Sequence, residues 1–70
     1  MNIADNLRRI MAERGMTPVE VIHASGVSRS AVYLILHGGR KYVRSITLEK
    51  LAFALGVGVE SLTRDRKDPS

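Results

Sequence analysis

An all-α fold of five short helices is what this 70-residue sequence predicts, and three observations predict it. Apolar residues recur at spacings of three and four over several segments, the period of an amphipathic helix. Glycines and capping residues punctuate those segments where helices start and stop. No stretch sustains an apolar/polar alternation between turn signals, so no strand is expected; Val57-Gly58-Val59 is too short to count.

The first helix is expected over residues 3 to 14. Ile3, Leu7, Ile10 and Met11 form one apolar stripe, and Arg8, Arg9, Glu13 and Arg14 face away from it. Asp5 lies in the first turn and Arg14 near the end, where each charge suits the helix dipole, and Gly15 is a natural stop. Arg8 and Arg9 read as a solvated face, with a phosphate contact as the alternative.

Thr17-Pro18-Val19-Glu20 predicts the second helix start: Thr17 caps, Pro18 takes N1 where a missing N–H costs nothing, and Glu20 completes a capping box. Met16 is placed to staple onto Val21. Val21 and Ile22 point inward, the helix ends near Ala24 or Ser25, Gly26 takes the left-handed conformation, and Val27 is buried at the junction. His23 reads as an exposed helical residue, neither catalyst nor ligand. Ser28 caps a third helix with Val32, Ile35 and Leu36 as its buried stripe and Ala31 as a small contact to the helix before it. Arg29, Ser30, Tyr33, Leu34 and His37 are left on the open side. Two helices joined by a Gly-containing turn of this length form a helix-turn-helix, whose second helix can enter a DNA major groove.

Gly38-Gly39 stops the third helix and leads into a basic loop, Arg40-Lys41-Tyr42-Val43-Arg44. Ser45 is expected to cap the fourth helix, which runs to about Leu55 with Leu48, Leu51, Ala52 and Leu55 inward and Phe53 outward. Gly56 ends it. Val57 to Leu62 is expected to form a short fifth helix, with Val59 and Leu62 returning to the core. Residues 1–63 form the domain and Arg64–Ser70 a charged, frayed tail.

Composition narrows the function. A chain this short buries only about 60% of its unfolded surface, and without cysteine no disulfide staples it. Two histidines far apart and no thiolate give no structural zinc site, so no metal and no cofactor are expected. No acid–base pair stands near a nucleophile, and no phosphate-loop motif occurs, so an enzyme is not expected. The net charge of +4 suits a polyanionic partner. No apolar run is long enough for a signal peptide or membrane span, and a cytoplasmic, nucleoid-associated location is the default expectation.

Together, the run T-P-V-E-V-x-x-x-S-G-V-S-R-S-A-V-Y-x-I-x-x-G from Thr17, the run L-E-K-L-A-F-A-L-G-V from Leu48 and the V-E-S-L segment from Val59 resemble the Cro/C1-type helix-turn-helix family. These are small five-helix, lambda-repressor-like DNA-binding domains of phage repressors, bacterial regulators and antitoxins. The resemblance covers about residues 3 to 63. It implies transcriptional control through double-stranded DNA, on a palindromic operator bound by a homodimer. It also places base-edge contacts on Arg29, Ser30 and Leu34 with Tyr33 adjoining, and phosphate contacts on Thr17 or Pro18, Ser28, His37, Arg40, Lys41 and Arg44.

Two departures from the family pattern stand out. Pro18 replaces a Gln that in many members reaches a phosphate and braces the recognition helix. Ile22 replaces a small Ala, which should open the crossing of the two helices or be offset by Ala31 and Ser25. Leu34 is apolar where many relatives carry a polar base reader; it either meets a thymine methyl or closes the edge of the core. Arg29 is the candidate for a bidentate contact to guanine O6 and N7, and Ser30 suits several bases. Tyr33 can pack on a thymine methyl or donate its hydroxyl to a phosphate. Phe53, Val59, Leu62 and the tail are the candidate dimer contact. The rival expectation is a protein-interaction or antitoxin-type module on the same fold with weak DNA binding. No effector domain is read within the seventy residues, which leaves switching to protein level, a partner or competition for DNA.

Overall fold

The structure, a computed structural model, describes residues 3–39 and 42–63. These residues form five helices: α1 (Ile3–Arg14), α2 (Pro18–Ser25), α3 (Arg29–Leu36), α4 (Ser45–Leu55) and α5 (Val59–Thr63). No strand occurs among the described residues. α1 packs on α3, α4 and α5, while α2 packs on α3 and α4. One apolar cluster joins all five helices, with Leu7, Val21, Val32, Leu51 and Leu62 at its closed centre. The stripes expected on α1, α3 and α4 are all buried in it.

Local chemistry sets the helix-turn-helix. The Thr17 hydroxyl accepts from the Glu20 N–H at 3.2 Å, and the Glu20 carboxylate accepts from the Thr17 N–H at 2.8 Å, which completes the capping box. α2 ends on Gly26, whose φ of 74° lies in the left-handed region that L side chains rarely adopt. The Val27 N–H donates to the Ser25 hydroxyl at 3.1 Å across the turn, and Val27 closes into the core. Ser28 then caps α3 by accepting from the Ala31 N–H at 3.2 Å.

α3 ends in a six-residue loop-back: Gly39 N–H donates to the Leu34 carbonyl and Gly38 N–H to the Ile35 carbonyl, with Gly38 at φ 76°. A Cβ on Gly39 would stand 2.6 Å from Leu34 Cδ2. The Leu34 side chain therefore lies over the glycine backbone at the end of α3 while 43% of its surface stays open.

Three expectations are corrected. Arg44, not Ser45, is the N-cap of α4: it holds extended dihedrals, and its carbonyl accepts the first helical bond from the Leu48 N–H. Ser45 is already the first helical residue, and no side chain caps this helix. α5 begins at Val59, two residues after Val57, because the Gly56 turn continues through Gly58. Leu62 is wholly buried, so it has no surface to offer a second chain; Val59 is half-buried and packs against the core.

Two long-range polar contacts complete the frame. Asn6, the buried polar residue of α1, donates its side-chain amide to the Leu62 carbonyl at 2.6 Å and so ties α1 to α5. Arg8 donates to the Leu36 carbonyl at the end of α3 and to Asp5 Oδ1 at 2.6 Å. It is exposed, as the solvated-face reading has it, and its positive charge also stands at the C-terminal end of α3, where it is favourable. Arg9 pairs with Glu13 at 3.4 Å on the outer face.

Candidate nucleic-acid interface

α3 meets the core through Val32, Ile35 and Leu36 and turns the opposite arc outward. Along one edge of that arc, one helical turn apart, stand Arg29, Tyr33 and His37; along the other stand Ser30 and Leu34. Arg29, Ser30, Leu34 and His37 are exposed and Tyr33 is half-buried. The Arg29 guanidinium lies over the Tyr33 ring, 5.9 Å from its centre. The same ring stacks on His37 at 6.2 Å with planes 17° apart. The five residues expected on the open side thus share one face.

Beside the start of α3 is a polar cleft of about 350 Å³, bordered by Gly26, Ser28, Arg44, Thr47 and Lys50. Ser28 and Arg44, two of the residues expected to contact phosphate, both border it. Lys50 is an addition: on the sequence it is one more exposed residue of α4, and only the packing of α4 on the turn brings it near Ser28. Cations gathered beside a helix start, where free N–H groups point outward, are chemistry that suits an anion. Arg40 and Lys41 lie outside the described residues, as does the tail. Of the remaining loop, Tyr42 and Arg44 are exposed and Val43 packs on the core.

The start of α2 has a different character. The Thr17 hydroxyl is engaged by Glu20, accepting from its N–H and lying 3.3 Å from its carboxylate, so it serves the cap first. Pro18 stands at N1 and borders an open groove of about 420 Å³, lined also by Met11, Met16, Tyr33, Leu36 and His37. Pro18 thus contributes an apolar wall beside α3, where the family resemblance led to the expectation of a missing polar brace. Ile22 is half-buried and borders a smaller cleft of about 270 Å³ with Val19, His23 and Arg29, between α2 and α3.

Outside this region, Phe53 is 84% exposed on α4 and Ile46 55% exposed in the first turn of the same helix. No group of His, Asp or Glu able to hold a metal ion occurs among the described residues, and none of the described helices is long and apolar enough to cross a membrane.

Comparison with known families agrees with this geometry. The family model of the Cro/C1-type HTH DNA-binding domain matches residues 6–68. No curated protein and no solved structure matches the chain significantly. The matched span holds all of α2 to α5 and most of α1, with the turn and the open face of α3 at its centre, and on that match the chain belongs to the Cro/C1-type helix-turn-helix DNA-binding family.

Proposed function

We propose that the protein is a sequence-specific double-stranded DNA-binding regulator, working as a homodimer on a palindromic operator in the cytoplasm and carrying no catalytic role. The observation that carries the reading is the open face of α3, with Arg29, Ser30 and Leu34 outward and none of them used by the core. In this reading α3 lies in the major groove, Arg29 reads a guanine edge, and Ser30 and Leu34 read beside it. Ser28, His37, Arg40, Lys41 and Arg44 hold phosphates on either side, and Lys50 joins them. Phosphate contacts fix register while base contacts select sequence.

Selection of bound duplexes from a random pool tests this. Enriched sites are expected to contain two inverted half-sites about one helical turn apart. Arg29→Ala is expected to lower the ratio of selected to mixed-sequence affinity by about 1–3 kcal/mol, the discrimination of a bidentate guanine pair. An unchanged ratio removes Arg29 from the base contact.

The dimer rests on Phe53, with the half-buried Val59 as a secondary candidate. An aromatic ring left this open on a folded helix is surface that a second copy would cover. A solution-scattering mass of two chains on the selected duplex is expected, and a mass of one chain both free and on DNA removes this contact. The protein-interaction reading draws on the apolar groove beside Pro18. It would win if mixed-sequence DNA failed to retain the protein even at low salt.

A further inference from the structure

Arg29 has no carboxylate to orient it: among the described residues the ion pairs are Asp5–Arg8 and Arg9–Glu13, both on α1. A long side chain at the first turn of a recognition helix would then sample many rotamers, and ordering it on a base would cost binding free energy. Its neighbour one turn on changes this. The Tyr33 ring lies under the guanidinium at a separation within the range of cation–π attraction. The ring itself also stacks on His37, at a spacing normal for paired rings. Its edge is half-buried beside Pro18 and Leu36. Arg29, Tyr33 and His37 thus form a ladder at steps of four residues along the open edge of α3.

We propose that Tyr33 is a positioning residue for Arg29: its ring, stacked on His37, holds the guanidinium along the groove-facing edge of α3 before DNA arrives, and so sets the sequence specificity of the arginine. This rests on the reading of Arg29 as a base reader, and it assigns Tyr33 a task other than touching DNA itself. The aromatic face carries the role. The hydroxyl does not.

The test combines a measurement on the free protein with a binding cycle. In proton NMR spectra, the Arg29 side-chain methylenes are expected to be shifted upfield by the ring current in the wild type and in Tyr33→Phe, and to return to ordinary positions in Tyr33→Leu. Binding is then measured at one salt concentration to a duplex selected by the wild type and to a mixed-sequence duplex of equal length. Tyr33→Phe is expected to keep the affinity ratio, and Tyr33→Leu to lower it about two- to five-fold, the worth of an exposed cation–π contact. In an Arg29→Ala background, Tyr33→Leu is expected to lower the ratio no further.

An unshifted Arg29 in the wild type overturns the proposal, and it does so even if Tyr33→Leu folds poorly. An equal loss from Tyr33→Leu with and without Arg29 also overturns it, since the ring would then be touching DNA directly. So does a loss in Tyr33→Phe matching that in Tyr33→Leu. If Arg29→Ala itself leaves the ratio unchanged, the base-reader assignment and the proposal fall together. If Arg29→Ala lowers the ratio and Tyr33→Leu does not, Tyr33 alone loses its role.

Discussion

Neutralising the basic loop, with Arg40→Gln, Lys41→Gln and Arg44→Gln together, is expected to weaken binding to every DNA sequence by about the same factor. Each phosphate neutralised by a cation releases counterions and contributes about 0.9 to the slope of log affinity against log salt. Freeing three phosphates in this way should flatten the slope by about 2.7 and cost on the order of a hundredfold in affinity near 0.1 M salt. The ratio of operator to mixed-sequence affinity should hardly move, because phosphate contacts carry no sequence information. Arg44 caps α4 through its backbone alone, with no side-chain bond, so its replacement leaves the helix start intact. Titrations across salt concentrations that return the wild-type slope would take this loop off the DNA.

The second large effect lies in the core. Leu51 is fully buried at the centre of the apolar cluster that joins the five helices. Leu51→Ala removes its transfer free energy and leaves a cavity, a cost of about 2–5 kcal/mol. A domain of this size is stable by only about 4–10 kcal/mol, so urea denaturation should find the variant's midpoint lowered by at least about a fifth of the wild-type value. Phe53, two residues along the same helix and 84% exposed, supplies the contrast: Phe53→Ala should shift the monomer's stability by no more than about 0.5 kcal/mol. If the two variants exchanged these outcomes, the inward face of α4 would be misassigned.

What is legible in the sequence is local. The Thr17–Glu20 box, the Ser28 cap and the glycine stops depend on residues within five of one another, and the inward stripes depend only on helical period. The same reasoning misplaces the start of α4. Ser45 has the right chemistry for a cap, but three residues on stands Leu48, not the Glu or Gln that completes the box at Thr17, and the extended dihedrals fall on Arg44. Period also assigns Leu62 to a face without saying what covers it, which is why that residue reads equally as core and as interface. The roles of Asn6, Arg8 and Lys50 are not legible at all. They come from partners far along the chain, and a buried amide at position 6 looks on the sequence like any polar helical residue. On the candidate site, sequence places the open face of α3; the alignment of Arg29, Tyr33 and His37 needs side-chain rotamers.

The amide of Asn6 meets the carbonyl of Leu62 across 56 positions of chain, and that bond has a consequence for the order in which the molecule is built. During synthesis α1 is made before α5, yet the two helices pack on each other in the folded chain. α5, at five residues, is too short to hold a helix alone. Its order and the cover it gives α1 therefore arrive together, when the two helices pack. Until then part of the apolar stripe of α1 stays open, so a chain cut short before α5 is expected to lose α1 from the fold along with it.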